Sequence, residues 1–254
     1  MQTTPTQRTA TTIYAILGLV LFFAFWQWAG KAGVAGPMLP AVSDVAATLF
    51  APDNLPLLER SALYTLASAA KGLLLGGLLA VLLAVVMRLL PRLAPGLDRL
   101  AFLVNAIPPI AIGPILIVVF SRSQTPTLLA GIQVFFLFYV AASSGLASAS
   151  PALRQVMTAF GAGRRSRLWH LELPSALPHL ASGLKAAISA AFIGAILGEW
   201  FGAPRGLGLV ILNAMQNFQI RLMWAAVTMA AAMSLAAFLG AAVLEKAVSR
   251  RFAR

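Results

Sequence analysis

Continuous apolar runs of about 20 residues alternate with short polar segments rich in arginine, proline and glycine along this chain. Such runs suit α-helices that cross a bilayer, because only a helix or a closed barrel satisfies its backbone polar groups in lipid. Barrel strands would instead show segments of about 10 residues with alternating polarity, a pattern the chain lacks. The pattern predicts six spans, at residues 12–29, 67–90, 97–120, 128–149, 177–198 and 223–242. The first run ends in Trp26, Gln27 and Trp28 rather than in a small-residue cleavage site, so it reads as a retained span.

Two polar segments carry patterns of their own. In the first, residues 30–61, Ser43 as N-cap and Val45, Leu49 and Phe50 as an apolar side predict a short helix, which would either lie on lipid or meet a partner. In the second, residues 150–174, Ser150 and Pro151 form a helix start, and Leu153, Val156, Met157 and Phe160 recur at i, i+3, i+4 and i+7. Gly161 and Gly163 should end this helix, and the basic run Arg164, Arg165 and Arg167 follows. A helix so short is marginal alone, so its apolar face must be covered by the chain's own bundle, by lipid headgroups or by another subunit.

Composition agrees with lipid: of 254 residues 60% are hydrophobic and 10% charged. A net charge of +12 would suit nucleic acid if it were clustered, but the basic residues sit in the segments between spans. Their distribution is asymmetric. Segments on one side hold Arg8, Arg88, Arg92, Arg99, Arg154, Arg164, Arg165, Arg167, Lys246, Arg250, Arg251 and Arg254; those on the other hold Lys31, Arg60, Arg122, Arg205 and Arg221. The positive-inside rule places both termini in the cytoplasm. With no repeat and no linker, residues 1–254 read as a single polytopic domain.

Little enzymatic chemistry is available. The absence of cysteine removes disulfides, thiolate metal sites and a thiol nucleophile. No G-x-x-x-x-G-K-[ST] loop occurs, His170 and His179 lack a further ligand at metal spacing, and no acids are spaced as a catalytic pair. No catalytic residue, metal or cofactor is therefore expected. Lys71 and Lys185 are the clearest mid-span charges, each close enough to a span end to snorkel; without a buried acid, ion coupling loses its usual carrier, and an ATP-independent secondary transporter or channel is the weaker alternative. Pro108 and Pro109 delete backbone donors in the third span, which should kink there and free carbonyls near Asn105. Asn105, Pro108 and Pro109 are candidates for lining a solute path. Gly72 and Gly76 form a Gly-x-x-x-Gly pair, read as helix packing.

The segment at 150–174 resembles the cytoplasmic "EAA" loop of ABC importer permeases. Gly161 occupies the loop's glycine position, and Leu171-Glu172-Leu173-Pro174 follows at the spacing of its Ile-x-Leu-Pro; Gln155, Val156 and Met157 stand where Glu-Ala-Ala is usual. Asn105-Ala106-Ile107-Pro108-Pro109, Gly198-Glu199-Trp200-Phe201-Gly202 and Arg205-Gly206-Leu207-Gly208 look like the nitrate/sulfonate/taurine branch, and the resemblance runs from about residue 37 to 245. It implies an all-α permease of six transmembrane helices in the bacterial inner membrane, working as a homodimer. It also implies a separate ATP-binding cassette subunit that hydrolyses ATP, a periplasmic solute-binding protein and a small, anionic solute. Leu153, Gln155, Val156, Met157, Phe160, Gly161, Leu173 and Pro174 would couple the loop to the ATPase. Gly161 would let the chain reverse, and Pro174 would begin the next span rigidly.

Overall fold

A computed structural model describes residues 5–252, with side chains described for 13–251. Every regular element among the described residues is helical. The long helices are α1 (Pro5–Lys31), α3 (Leu55–Leu89), α6 (Thr125–Ala147), α9 (Leu173–Glu199) and α11 (Ile220–Phe252). Shorter ones are α2 (Val42–Leu49), α4 (Ala94–Ala106), α5 (Pro109–Val119), α7 (Pro151–Ala159), α8 (Arg164–Arg167) and α10 (Leu207–Gln216). Among the described residues, five continuous helical runs are long and apolar enough to cross a membrane, and the bent pair α4 and α5 makes a sixth when it is counted as one span. Arg8 and Arg254 lie outside the residues whose side chains are described.

The helices form two compact units. One holds the chain up to Leu58 together with Val210–Thr228. Here α1 and α2 are joined where Gly30 lets the backbone of Ala41 approach; a Cβ on Gly30 would stand 2.5 Å from it. Trp26 and Trp224 each donate an indole N–H to a carbonyl of the α1–α2 connection, Pro40 at 3.1 Å and Met38 at 3.0 Å. Lys31 pairs with Asp44 at 3.5 Å. The residue at the N-cap of α2 is Ala41, so Ser43 does not cap it. Ser43 instead lies within the first turn and bonds twice to Gln27, its backbone N–H donating to the amide oxygen and its Oγ accepting from Nε2. Val45 is buried as expected, whereas Phe50 is exposed.

The other unit holds Glu59–Leu209 and Met229 onward. Its core is rich in alanine and glycine. Ala69, Ala130, Val134, Ala187, Ala191, Phe192 and Ala195 form one cluster; Ala80, Ala84, Tyr139, Ala142, Leu146 and Leu168 form a second. Without a hydrophobic drive between helices in lipid, small residues let backbones touch and gain dispersion. Gly72 of α3 lies against Ala130, Thr127 and Gly131 of α6, as the Gly-x-x-x-Gly pattern predicted, and Gly194 and Gly198 of α9 lie against α6 in the same way.

The third span departs from expectation. A helix kinked at its prolines was predicted; the structure has two helices at 97°. Pro108 and Pro109 occur together, so two successive backbone donors are missing and one bend cannot absorb the loss. Helix α4 ends at Ala106, and Pro108 caps α5 with extended backbone (φ −59°, ψ 127°). The short helix α10 was not predicted, because 10 residues are too few to read as a span.

Candidate functional site

The loop after α6 folds as its pattern predicts. Pro151 opens α7, Ser150 holds the N-cap position without a side-chain bond, and Phe160 is the C-cap. Gly161 adopts φ +79°, a conformation that costs a side chain about 1–2 kcal/mol. The turn is closed by bonds from Gly161 N–H to the carbonyl of Thr158 and from Ala162 N–H to that of Met157 at 2.8 Å. This doubly bonded stop reverses the chain within two residues.

Along α7, Leu153, Val156 and Phe160 project into solvent, with Phe160 88% exposed. Gln155 is exposed and Met157 half-buried, so Met157 belongs partly to the chain's own packing. The opposite side of the helix is fastened by charge. Glu172 is buried, and Arg88 at the end of α3 holds it with two prongs, Nη2 to Oε1 at 2.9 Å and Nε to Oε2 at 3.1 Å. Arg154 of α7 reaches the same carboxylate at 3.3 Å. That approach is an ion pair without hydrogen-bond geometry, since Arg154 Nε and Nη2 lack hydrogen-bond partners. Arg88 also donates to the carbonyl of Leu146 at 3.2 Å, so three helices meet on one acid.

This knot was not foreseen. Glu172 fills the variable place of Leu-x-Leu-Pro, and its partners lie far away in sequence. The available signal was the lone acid set among many arginines. With Gln155 neutral, Glu172 is the acid that ties the loop.

Pro174 does not begin a span. Helix runs without interruption from Arg164 to Glu199, passing through a π-helical turn at Leu168–Glu172. The wider turn, with Leu173 N–H bonding back to Leu168, accommodates the proline ring directly beyond it. Leu173 packs beside Leu146 and Leu168. The chain leaving α7 is thereby continuous with a membrane-spanning rod.

Of the predicted path residues, Asn105 and Pro108 are exposed and Pro109 half-buried at the break between α4 and α5. One pairing was not foreseen and one expectation needs correction. The ammonium of Lys185 meets Glu245 of α11 at 2.5 Å, and Ser182 bonds the same carboxylate. A fully buried acid also exists. Glu199 accepts from Thr65 Oγ1 at 2.8 Å and from Gly208 N–H at 2.7 Å, while Thr65 accepts from Leu207 N–H. It serves as a local clamp on the turn that leads into α10, and Gly206 at φ +129° leaves room for its carboxylate.

A family of known proteins matches this arrangement over residues 72–254, described as the binding-protein-dependent transport system inner membrane component. The chain belongs to that family. Its members are permeases of ABC importers, so the all-α, multi-pass inner-membrane assignment follows, together with the nitrate/sulfonate/taurine branch. A probable ABC transporter permease of Haemophilus influenzae is 30% identical over 222 residues, 87% of this chain and 89% of that one. The riboflavin transport system permease of Chloroflexus aurantiacus is 31% identical, covering 91% and 87%. The taurine permease of Escherichia coli is 29% identical over 46% of this chain and 43% of its own. Among solved structures, the inward-facing MetNI methionine ABC transporter matches with a TM-score of 0.69 at 17% identity, covering 78% of this chain and 99% of that one. A bacterial alginate ABC transporter, solved with a pentasaccharide-bound periplasmic protein, matches at 0.59 and 16% identity, covering 96% and 95%. These two share the fold.

Proposed function

We propose that this permease forms half of an ATP-driven import pathway, and that α7 docks in a groove of a separate ATP-binding subunit where ATP is hydrolysed. One observation supports this above others: α7 offers Leu153, Val156 and Phe160 to the outside while Arg154, Glu172 and Arg88 fix its base. An apolar helix face held rigidly away from its own core suits a helix-in-groove contact. Gly161 and the unbroken helix from Arg164 would carry displacement of α7 into the membrane.

The remaining parts follow the same reading. Residues 1–254 act as one permease domain, paired with a second copy, with both termini cytoplasmic. A periplasmic binding protein delivers the solute. Asn105, Pro108 and Pro109 lie at a broken span, where irregular backbone commonly lines water, and they contribute to the path. The solute in this reading is a small anion, the class for which the taurine, aliphatic sulfonate and nitrate permeases among the relatives are named; permeases named for riboflavin and formylaminopyrimidine are relatives too.

The test is co-expression with an ATP-binding cassette subunit from the same organism, comparing wild type with Val156→Asp and Phe160→Asp. A detergent-stable complex that either substitution disrupts, with membrane insertion intact, is the expected result. A chain that purifies alone and moves solute in vesicles without an ATPase would replace this reading with an ATP-independent transporter.

A further inference from the structure

Four guanidinium groups converge beside the loop just described, and one carboxylate cannot satisfy them all. Arg88, Arg154, Arg164 and Arg167 line a cavity of about 170 Å³ with Glu172 and Pro91. Both oxygens of Glu172 are engaged by Arg88, and Arg154 shares one of them. Arg167 donates to Thr158, while Nε and Nη2 of Arg154 are buried without a hydrogen-bond partner. Buried guanidinium donors call for an acceptor, and arginine forks suit the oxygens of a phosphate.

A second cavity, of about 420 Å³, adjoins the first and shares Arg164 and Pro91 with it. Its other walls are Leu89, Leu90, Arg92 and Leu93, of which Leu90 and Leu93 are more than half exposed. Both cavities lie where α3, a membrane span, ends. A basic cavity joined to an apolar one at a span's end fits an amphiphile with an anionic head. We propose that this is a binding site for an anionic phospholipid, with its phosphate among Arg154, Arg164 and Arg167 and its glycerol and upper acyl chain against Leu89, Leu90 and Leu93. The site adjoins the α7 anchor, so the lipid braces the base of the loop. The proposal rests on the membrane span and the arginines, and does not depend on which subunit α7 contacts.

The full chain, purified in neutral detergent, would be titrated with phosphatidylglycerol, phosphatidylcholine and inorganic phosphate, and bound lipid counted by native mass spectrometry. Wild type is expected to retain phosphatidylglycerol over phosphatidylcholine. The double variant Arg164→Gln/Arg167→Gln should lose that retention by roughly tenfold or more. Arg165→Gln removes one charge at a residue that lines neither cavity and should bind as wild type does, whereas Arg164→Gln, which removes the same single charge inside both cavities, should weaken retention. Arg164→Lys/Arg167→Lys, which keeps the charge, should still prefer phosphatidylglycerol. Wild type without that preference, a double variant that binds normally, or equal loss in Arg165→Gln would overturn the site. Equal affinity for inorganic phosphate would assign the cavity to a free anion and overturn the lipid. Normal lipid retention in a double variant that no longer holds the ATPase would show that the arginines serve a protein contact instead.

Discussion

Glu199 and Glu172 are both buried, yet they are satisfied in opposite ways. Glu172 has cations and ties α3, α7 and the π turn together. Glu199 has none; it takes a hydroxyl from Thr65 and the N–H of Gly208, across a turn whose Gly206 has no side chain to collide with it. Thr65 Oγ1 can also donate to the carbonyl of Ser61 at 3.1 Å, so Gln at position 199 can accept from Gly208 N–H and donate to Thr65. Leu at that position would leave Gly208 N–H buried without an acceptor, at a cost of about 1–3 kcal/mol. We expect Glu199→Leu to lower the thermal midpoint in detergent by several degrees while α-helical content is kept, and Glu199→Gln to change it little. An unchanged midpoint in Glu199→Leu would mean the carboxylate is not a structural clamp. Neither acid was legible as a partner in the sequence, because Thr65 precedes Glu199 by 134 positions and Arg88 precedes Glu172 by 84.

Helix elements were easier to read, since lipid demands a long apolar run and a short amphipathic helix declares itself by spacing. Helix α7 came within one residue of its predicted ends because proline and glycine mark both of them. The Gly72 and Gly76 pair was equally legible, and the structure supplies its partner, Gly131 of α6. A leucine at Gly76 would overlap the backbone of Gly131, so the two helices would have to separate. Gly76→Leu is expected to destabilise the protein by about 2–4 kcal/mol, through lost backbone contact and overpacking. Gly77→Leu, where a Cβ would meet only the Phe138 ring at 3.7 Å, should be much milder. Proteolytic susceptibility of the two variants in detergent would measure the difference, and equal susceptibility would refute the α3–α6 contact. The broken third span was only half legible: two prolines announce disruption, but the 97° angle depends on what packs beside α5, where Gly113 admits the ring of Phe201.

For the molecule as a whole, charge placement carries a prediction of orientation. Arg88, Arg92, Arg99, Arg154, Arg164, Arg165 and Arg167 fall in segments assigned to the cytoplasm, so α7 and its arginines should share a compartment with the carboxyl terminus. A fluorescent-protein fusion after Arg254 should fluoresce, whereas alkaline phosphatase inserted after Ala51 should be active in the periplasm. The reverse pattern would place α7 outside the cell, beyond reach of any cytoplasmic ATPase, and so exclude the importer mechanism.

The sequence by itself determined the class of solvent, the helical architecture, the short amphipathic helix with its glycine stop and the family resemblance. Each is a local or periodic property: run length against bilayer thickness, spacing against helical pitch, and proline or glycine against backbone geometry. Tertiary structure alone decided which charged and polar groups meet. The knot of Arg88, Arg154 and Glu172, the Lys185 and Glu245 pair, the clamp at Glu199 and the adjoining basic and apolar cavities all join residues distant in the chain. In lipid, a buried polar or charged group without a partner is costly, so packing favours arrangements that supply one, and that pairing is a property of packed helices rather than of any one of them.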